Sequence, residues 1–112
     1  MAPYSPATHH LIGAAEIAKM KPSAIFINSA RGGIVDDAAL VAALREKRIA
    51  GAGIDVFEGE PRVHPGYLDL RNVALTPHIG SASRATRLAM CNTAAANLTA
   101  VLEGRNPPNP VN

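Results

Sequence analysis

The chain has 112 residues, 47% of them hydrophobic and 18% charged, with a net charge of +2. That composition fits one small globular domain rather than a disordered chain, and a charge so small leaves no electrostatic footprint for nucleic acid. A single cysteine, Cys91, excludes a disulfide framework and a cysteine metal site and suits a reducing cytoplasm, and no apolar run approaches the roughly 20 residues that span a bilayer.

Met1-Ala2-Pro3-Tyr4-Ser5-Pro6 reads as a loop with no strand before it and no charged-then-apolar signal segment. The chain is therefore expected to be the C-terminal piece of something longer. Ala14–Met20 is a short helix, ended near Lys21-Pro22 because a residue before proline avoids the α region. Ala24–Asn28 is the first of three short apolar runs that read as buried strands, with Gly51–Val56 and Val73–Thr76 after it. Ile25, Phe26, Ile27, Ile54 and Val73 make them continuously apolar, the pattern of parallel strands covered on both faces. Between the first two lies a helix capped by Asp36 or Asp37, with Leu40, Val41 and Leu44 as its apolar stripe. Arg45, Lys47 and Arg48 sit where cations suit a helix end, and Gly51 is the expected stop. Ser83 to Glu103 is the longest helix, with Leu88, Cys91, Ala95, Leu98 and Leu102 spaced by three and four. At about 1.5 Å per residue it would span roughly 30 Å, enough to cross between domains. Gly104 ends it, and Pro107, Pro108 and Pro110 leave Asn106–Asn112 as an extended tail. Helix, strand, helix, strand, strand fits part of a doubly wound α/β sheet.

Each strand runs into a loop marked by glycine or proline: Asn28-Ser29-Ala30-Arg31-Gly32-Gly33, Asp55-Val56-Phe57-Glu58-Gly59-Glu60-Pro61 and Thr76-Pro77-His78-Ile79-Gly80-Ser81. In a parallel sheet such loops gather at the carboxyl ends of the strands, where ligands bind. An arginine, a carboxylate and an imidazole converging there can hold an α-keto acid and move its proton. Glu58 and Glu60 are equally placed by composition. The other histidines read as bland: His9 and His10 as solvated turn residues, His64 as loop packing. No His/Cys/Asp spacing points to a metal, and Asp36-Asp37 fits a helix cap better than a paired-carboxylate site.

Those three ordered motifs resemble the C-terminal third of the D-isomer-specific 2-hydroxyacid dehydrogenases, in particular the glyoxylate/hydroxypyruvate reductase-like branch, over about Pro3 to Val111. The resemblance implies the second half of an NAD(P)-binding Rossmann-type parallel sheet in residues 1–82, and a crossover helix and tail of the substrate domain in residues 83–112. By the same resemblance Arg31 binds the substrate, its planar guanidinium forking onto carboxylate and carbonyl oxygens. His78 is the acid/base that protonates the carbonyl oxygen as hydride arrives at carbon. Glu60, rather than Glu58, orients that imidazole and favours its protonated form. Asp55 accepts a hydrogen bond from the nicotinamide amide; Ser29, Ala30, Arg31, His78, Gly80 and Ser81 line the nicotinamide pocket, and Pro3 and Thr8 lie beside the ribose and diphosphate. The implied cofactor is NAD or NADP, the partner a small 2-keto or 2-hydroxy acid, and the parent a homodimer, with no metal, nucleic acid or membrane. The glycine-rich dinucleotide fingerprint is not in this sequence, so the isolated chain is expected to be inactive. The rival expectation is a non-catalytic Rossmann-type module that senses a cofactor or joins partners.

Overall fold

The apolar runs condense into a parallel three-stranded sheet in the computed structural model, which describes residues 2–111. Met1 and Asn112, the outer ends of the expected opening loop and tail, lie outside the described residues. Two compact units result, one running to Gly80 and the other beginning at Ser81.

The first unit holds α1 (Ala14–Ile17), β1 (Ile25–Asn28), α2 (Asp37–Arg45), β2 (Gly51–Ile54), a 3-10 turn (Pro65–Tyr67) and β3 (Val73–Leu75). The strands stand in the order β1-β2-β3, with Phe26 beside Ala52 and Asn28 beside Ile54, then Ala52 beside Val73 and Ile54 beside Leu75. Because all three are parallel, their carboxyl ends open at one edge of the sheet, and the loops after Asn28, Ile54 and Leu75 meet there.

One face of the sheet carries the core. Ile17, Leu40, Val41 and Leu44 pack with Ile49, Ile54 and Tyr67, and the expected α2 stripe is buried throughout. Successive side chains of a strand point to opposite faces. Phe26 therefore joins the core while Ile25 and Ile27 are 69% and 66% exposed. The expectation that the strands are covered on both faces thus fails for β1. A continuous apolar run has no polar residue to betray its open side.

Helix ends differ from expectation for local reasons. α1 has a single turn, stopping at Ile17 rather than Met20, although Glu16 reaches back to the Gly13 N–H at 3.1 Å. Of the two expected caps for α2 it is Asp36 that serves, accepting the Ala39 N–H at 3.0 Å. The helix ends at Arg45, well before Gly51, because Lys47 takes the left-handed conformation (φ 55°) usually left to glycine. The N–H of Lys47 then reaches Leu44 O and that of Arg48 reaches Ala43 O, which closes the last turn. His10 (φ 50°) and His78 (φ 53°) share that conformation.

The second unit is α3 (Arg84–Leu102), capped by the Ser83 hydroxyl on the Thr86 N–H at 3.1 Å and closed by Gly104 at φ 72°. Its tail is not simply extended, since Asn109 returns to Asn97 through two hydrogen bonds, 2.9 and 3.3 Å. Leu88, Leu98 and Leu102 of the expected stripe are exposed. No described helix is long and apolar enough to cross a membrane.

Candidate active site

Asp55, the residue after β2, is the knot of the site. Its Oδ1 accepts the Thr76 hydroxyl at 2.5 Å and the Ile79 N–H at 2.8 Å, and its Oδ2 accepts the Gly80 N–H at 3.0 Å. Its carbonyl oxygen accepts the His78 N–H at 2.9 Å. Those donors, the Thr76 hydroxyl foremost and the Ile79 N–H next, hold its carboxyl below the usual aspartate range. One side chain thus ties the loop after β2 to the loop after β3 and fixes the histidine between them.

His78 stands in the left-handed conformation at φ 53°, uncommon for a residue with a side chain, and it points its Nδ1 at Glu60 Oε2, 3.0 Å away. Glu60 Oε1 accepts the Phe57 N–H, also at 3.0 Å. The His78 contact, then the Phe57 N–H, lowers the Glu60 carboxyl from its ordinary value, so it is an anion at neutral pH. With Nδ1 committed to Glu60, the ring's Nε2 has no hydrogen-bond partner among the described residues. A cavity of about 170 Å³, walled by Phe57, Pro61, Val63 and Pro77, opens beside the pair.

Glu58 does not compete for this role. Its carboxylate pairs with His10 Nε2 at 3.0 Å. His10, read from the sequence as solvated, is half-buried and lies 4.0 Å from Asp36 Oδ2 as well. Pairing of the first loop with the arginine loop puts it there: His10 N–H donates to Gly33 O, Ile12 N–H to Ile34 O, and Asp36 N–H to Ile12 O. His9 stacks on His10 with ring centres 3.8 Å apart. His64 behaves as loop packing, accepting the Gly66 N–H through Nδ1 at 3.1 Å and meeting the Tyr67 ring edge-on.

Arg31 is exposed and has no acidic partner within salt-bridge distance among the described residues; its guanidinium donates to Ala30 O at 2.7 Å. It lies near enough to Glu60 to help hold that carboxyl down. Pro3, Ala30 and Arg31 line one cavity of about 420 Å³, separate from the cavity at His78. The Thr8 hydroxyl donates to Pro3 O at 2.9 Å and so shapes the first loop. Ser29 is exposed in the arginine loop, Gly80 closes the first unit against Asp55, and Ser81 begins the second unit.

Sequence reasoning missed Asp37. It is 3% exposed, and its carboxylate accepts the Tyr67 hydroxyl at 2.9 Å and the Glu58 N–H at 3.0 Å. Burial and the neighbouring Asp37 push the Tyr67 hydroxyl's pKa far up, so it stays a donor. Its partners lie 30 and 21 residues away, so no short-range pattern could have revealed them. The sequence marks Gly32 only as one of the glycines of the arginine loop. A Cβ there would stand 1.8 Å from the Phe57 carbonyl oxygen, so the arginine loop and the acid loop touch backbone to backbone.

The profile of the D-isomer specific 2-hydroxyacid dehydrogenase NAD-binding domain matches residues 1–80. The chain belongs to that family. Among curated relatives it is 52% identical over 111 residues to the glyoxylate/hydroxypyruvate reductase B of Enterobacter agglomerans, covering 98% of this chain and 34% of that protein. It is 50% identical over 110 residues to the glyoxylate reductase of Thermococcus litoralis, covering 98% and 33%. The crystal structure of an NADPH-dependent glyoxylate/hydroxypyruvate reductase from Sinorhizobium meliloti, in complex with NADP and malonate, superposes with a TM-score of 0.93 at 41% identity. That match covers 99% of this chain and 35% of the other. The chain therefore spans about a third of the length of the relatives it matches. Its three strands are those of a Rossmann-type sheet, as the motif order led one to expect.

Chemically, the first unit of this family member offers a histidine backed by an anionic carboxylate, an exposed guanidinium with no acidic partner in salt-bridge range among the described residues, and loops held by short polar ties. That is a set that can deliver or remove a proton beside a bound carboxylate.

Proposed function

We propose that the protein carrying this chain reduces a 2-keto acid of the glyoxylate or hydroxypyruvate type to the D-2-hydroxy acid, using NADH or NADPH. The observation that carries the reading is the contact of 3.0 Å between His78 Nδ1 and Glu60 Oε2, which leaves Nε2 as the proton donor. The names of relatives sharing about half of these residues support the substrate class.

The residues present fit a nicotinamide. Asp55 Oδ2 accepts one hydrogen bond and keeps a lone pair for an amide N–H, and Pro3, Ala30 and Arg31 leave an open cavity beside the first loop. Asp55, Ala30, Ser29 and Gly80 would hold the nicotinamide end, with Ser81 beside them and Pro3 and Thr8 toward the ribose and diphosphate. The bound cofactor supplies the hydride. Arg31 grips the substrate carboxylate and carbonyl oxygen through two parallel N–H bonds. As negative charge grows on the carbonyl oxygen, His78 passes it the Nε2 proton, and Glu60 stabilises the imidazolium before transfer. In the reverse direction the neutral imidazole takes the hydroxyl proton.

Arg31→Lys in the full-length protein tests the reading, because lysine keeps the charge but loses the fork. The expected loss is about 2–4 kcal/mol in kcat/KM, with NADH affinity nearly unchanged. Near-normal kcat/KM would remove Arg31 from the site and most of the proposal with it. The 112-residue chain alone is expected to bind NADH poorly and to show no glyoxylate reduction, since its sequence holds no glycine-rich diphosphate loop. Turnover by the purified chain would refute that. We further propose a cytoplasmic homodimer, to be checked by cell fractionation and by light scattering of the full-length protein.

A further inference from the structure

Three side chains outside the proposed catalytic set meet on the first loop and the loop after β2. One ligand atom from each of His9, His10 and Glu58 lies within 4.8 Å of the others, and this is the only such group among the described residues. Sequence spacing hides it, because Glu58 stands 48 residues from His10. The two rings are stacked, 3.8 Å between centres and 23° between planes. His10 Nε2 stands 3.0 Å from both oxygens of Glu58.

One histidine has a hydrogen-bonded outer partner, and the other has a carboxylate close by but beyond hydrogen-bond reach. His10 Nδ1 lies 4.0 Å from Asp36 Oδ2, and His9 Nδ1 lies 3.3 Å from the Tyr4 hydroxyl. A metal-ligating imidazole commonly donates its second N–H to a carboxylate or similar acceptor, which fixes the tautomer and makes the ligating nitrogen more basic. Asp36 is itself held, its Oδ1 engaged by the Ala39 N–H at the start of α2. The His10 backbone is fixed by its N–H to Gly33 O at 2.8 Å. Two imidazoles and one carboxylate are the donor set of open zinc sites, with water completing the tetrahedron. Bonds of about 2.0–2.1 Å bring tetrahedral ligand atoms to roughly 3.3 Å apart, so the two rings must swing out of their stack for their nitrogens to converge on one ion.

We propose that His9, His10 and Glu58 form a binding site for a zinc-class divalent ion. Such an ion fastens the first loop to the loop that bears Glu60, replacing the direct His10–Glu58 contact. The site stands apart from His78 and does not depend on the catalytic reading.

Titrating the full chain with ZnCl2 in a calorimeter should show one saturable site. His9→Gln, His10→Gln and Glu58→Gln should each weaken it at least tenfold. Asp36→Asn, which keeps the helix cap and removes only a nearby charge, should weaken it less than any of those three. His78→Gln should leave it unchanged. Imidazole nitrogen resonances of the unmutated chain supply the second measurement, independent of any variant's folding: zinc should move those of His9 and His10 and leave His64 and His78 in place. No saturable binding overturns the site. So does binding that survives the first three substitutions, or a resonance shift confined to His78.

Discussion

Replacing Gly32 with alanine is the sharpest probe of how the arginine and acid loops are joined. The new methyl would stand 1.8 Å from the Phe57 carbonyl oxygen, 2.4 Å from its carbon and 3.0 Å from the Glu58 nitrogen. All three are backbone atoms, so no side chain can rotate out of the way, and the gap must open from 1.8 Å to the 3.4 Å of ordinary contact. That shift carries off the Glu58 N–H, now 3.0 Å from the buried Asp37, and strains the Phe57 N–H on Glu60. A hydrogen bond to a charged group contributes about 1.5–3 kcal/mol, and overpacking costs about 1–3 kcal/mol. The expected destabilisation is therefore about 3–5 kcal/mol, enough to lower the melting temperature of so small a unit by at least about 10 °C. Gly59→Ala is the internal control: at φ 75° with nothing within 4 Å, it meets only the left-handed backbone cost of about 1–2 kcal/mol. Urea unfolding followed by circular dichroism gives both values, and the His78 imidazole resonances report whether the Glu60 contact survives. Should Gly32→Ala unfold no more easily than Gly59→Ala, the two loops are not locked by that contact.

Tyr67→Phe keeps the ring against Phe57 and His64 but strips a hydrogen bond from the buried Asp37 carboxylate, for an expected loss of about 1.5–3 kcal/mol in urea unfolding. A change within about 0.5 kcal/mol, the range of an ordinary surface substitution, would show that Asp37 does not depend on it. Asp55 and Glu60 both titrate below their ordinary values in the fold, so their contribution is complete above the unfolded values of about 3.9 and about 4.3. It is lost as pH falls further, through the folded values. Amide exchange of the 76–80 loop should therefore stay flat from neutral pH down to about 4.5 and accelerate below about 4, after correction for the intrinsic rate; acceleration beginning near pH 6 would point to a histidine instead.

Much of the frame was written in local pattern. Short apolar runs separated by a capped, striped helix are enough to announce parallel strands, and Asp36, Leu40, Val41 and Leu44 do in the structure what their spacing implies. The pairing of Glu60 with His78 came from the family motif, and Glu58 is kept from that role because His10 holds it. What stayed hidden depends on partners distant in sequence or on backbone conformation. Asp37 looks like a second capping residue until Tyr67 and Glu58 arrive from elsewhere. Lys47 ends α2 in a conformation that composition assigns to the later Gly51. Ile25 and Ile27 read the same whether their side of the sheet is covered or open.

The left-handed backbone at His78 limits which residues could ever take its place. β-branched side chains are strained there before their chemistry is considered, and glycine adopts the conformation readily but brings no proton. Asparagine and aspartate tolerate the conformation and would populate the first mutational neighbourhood, yet neither offers an imidazole's two-sided proton handling. Under the proposed mechanism, the few residues that suit this backbone are thus not the ones that could do the work of the histidine.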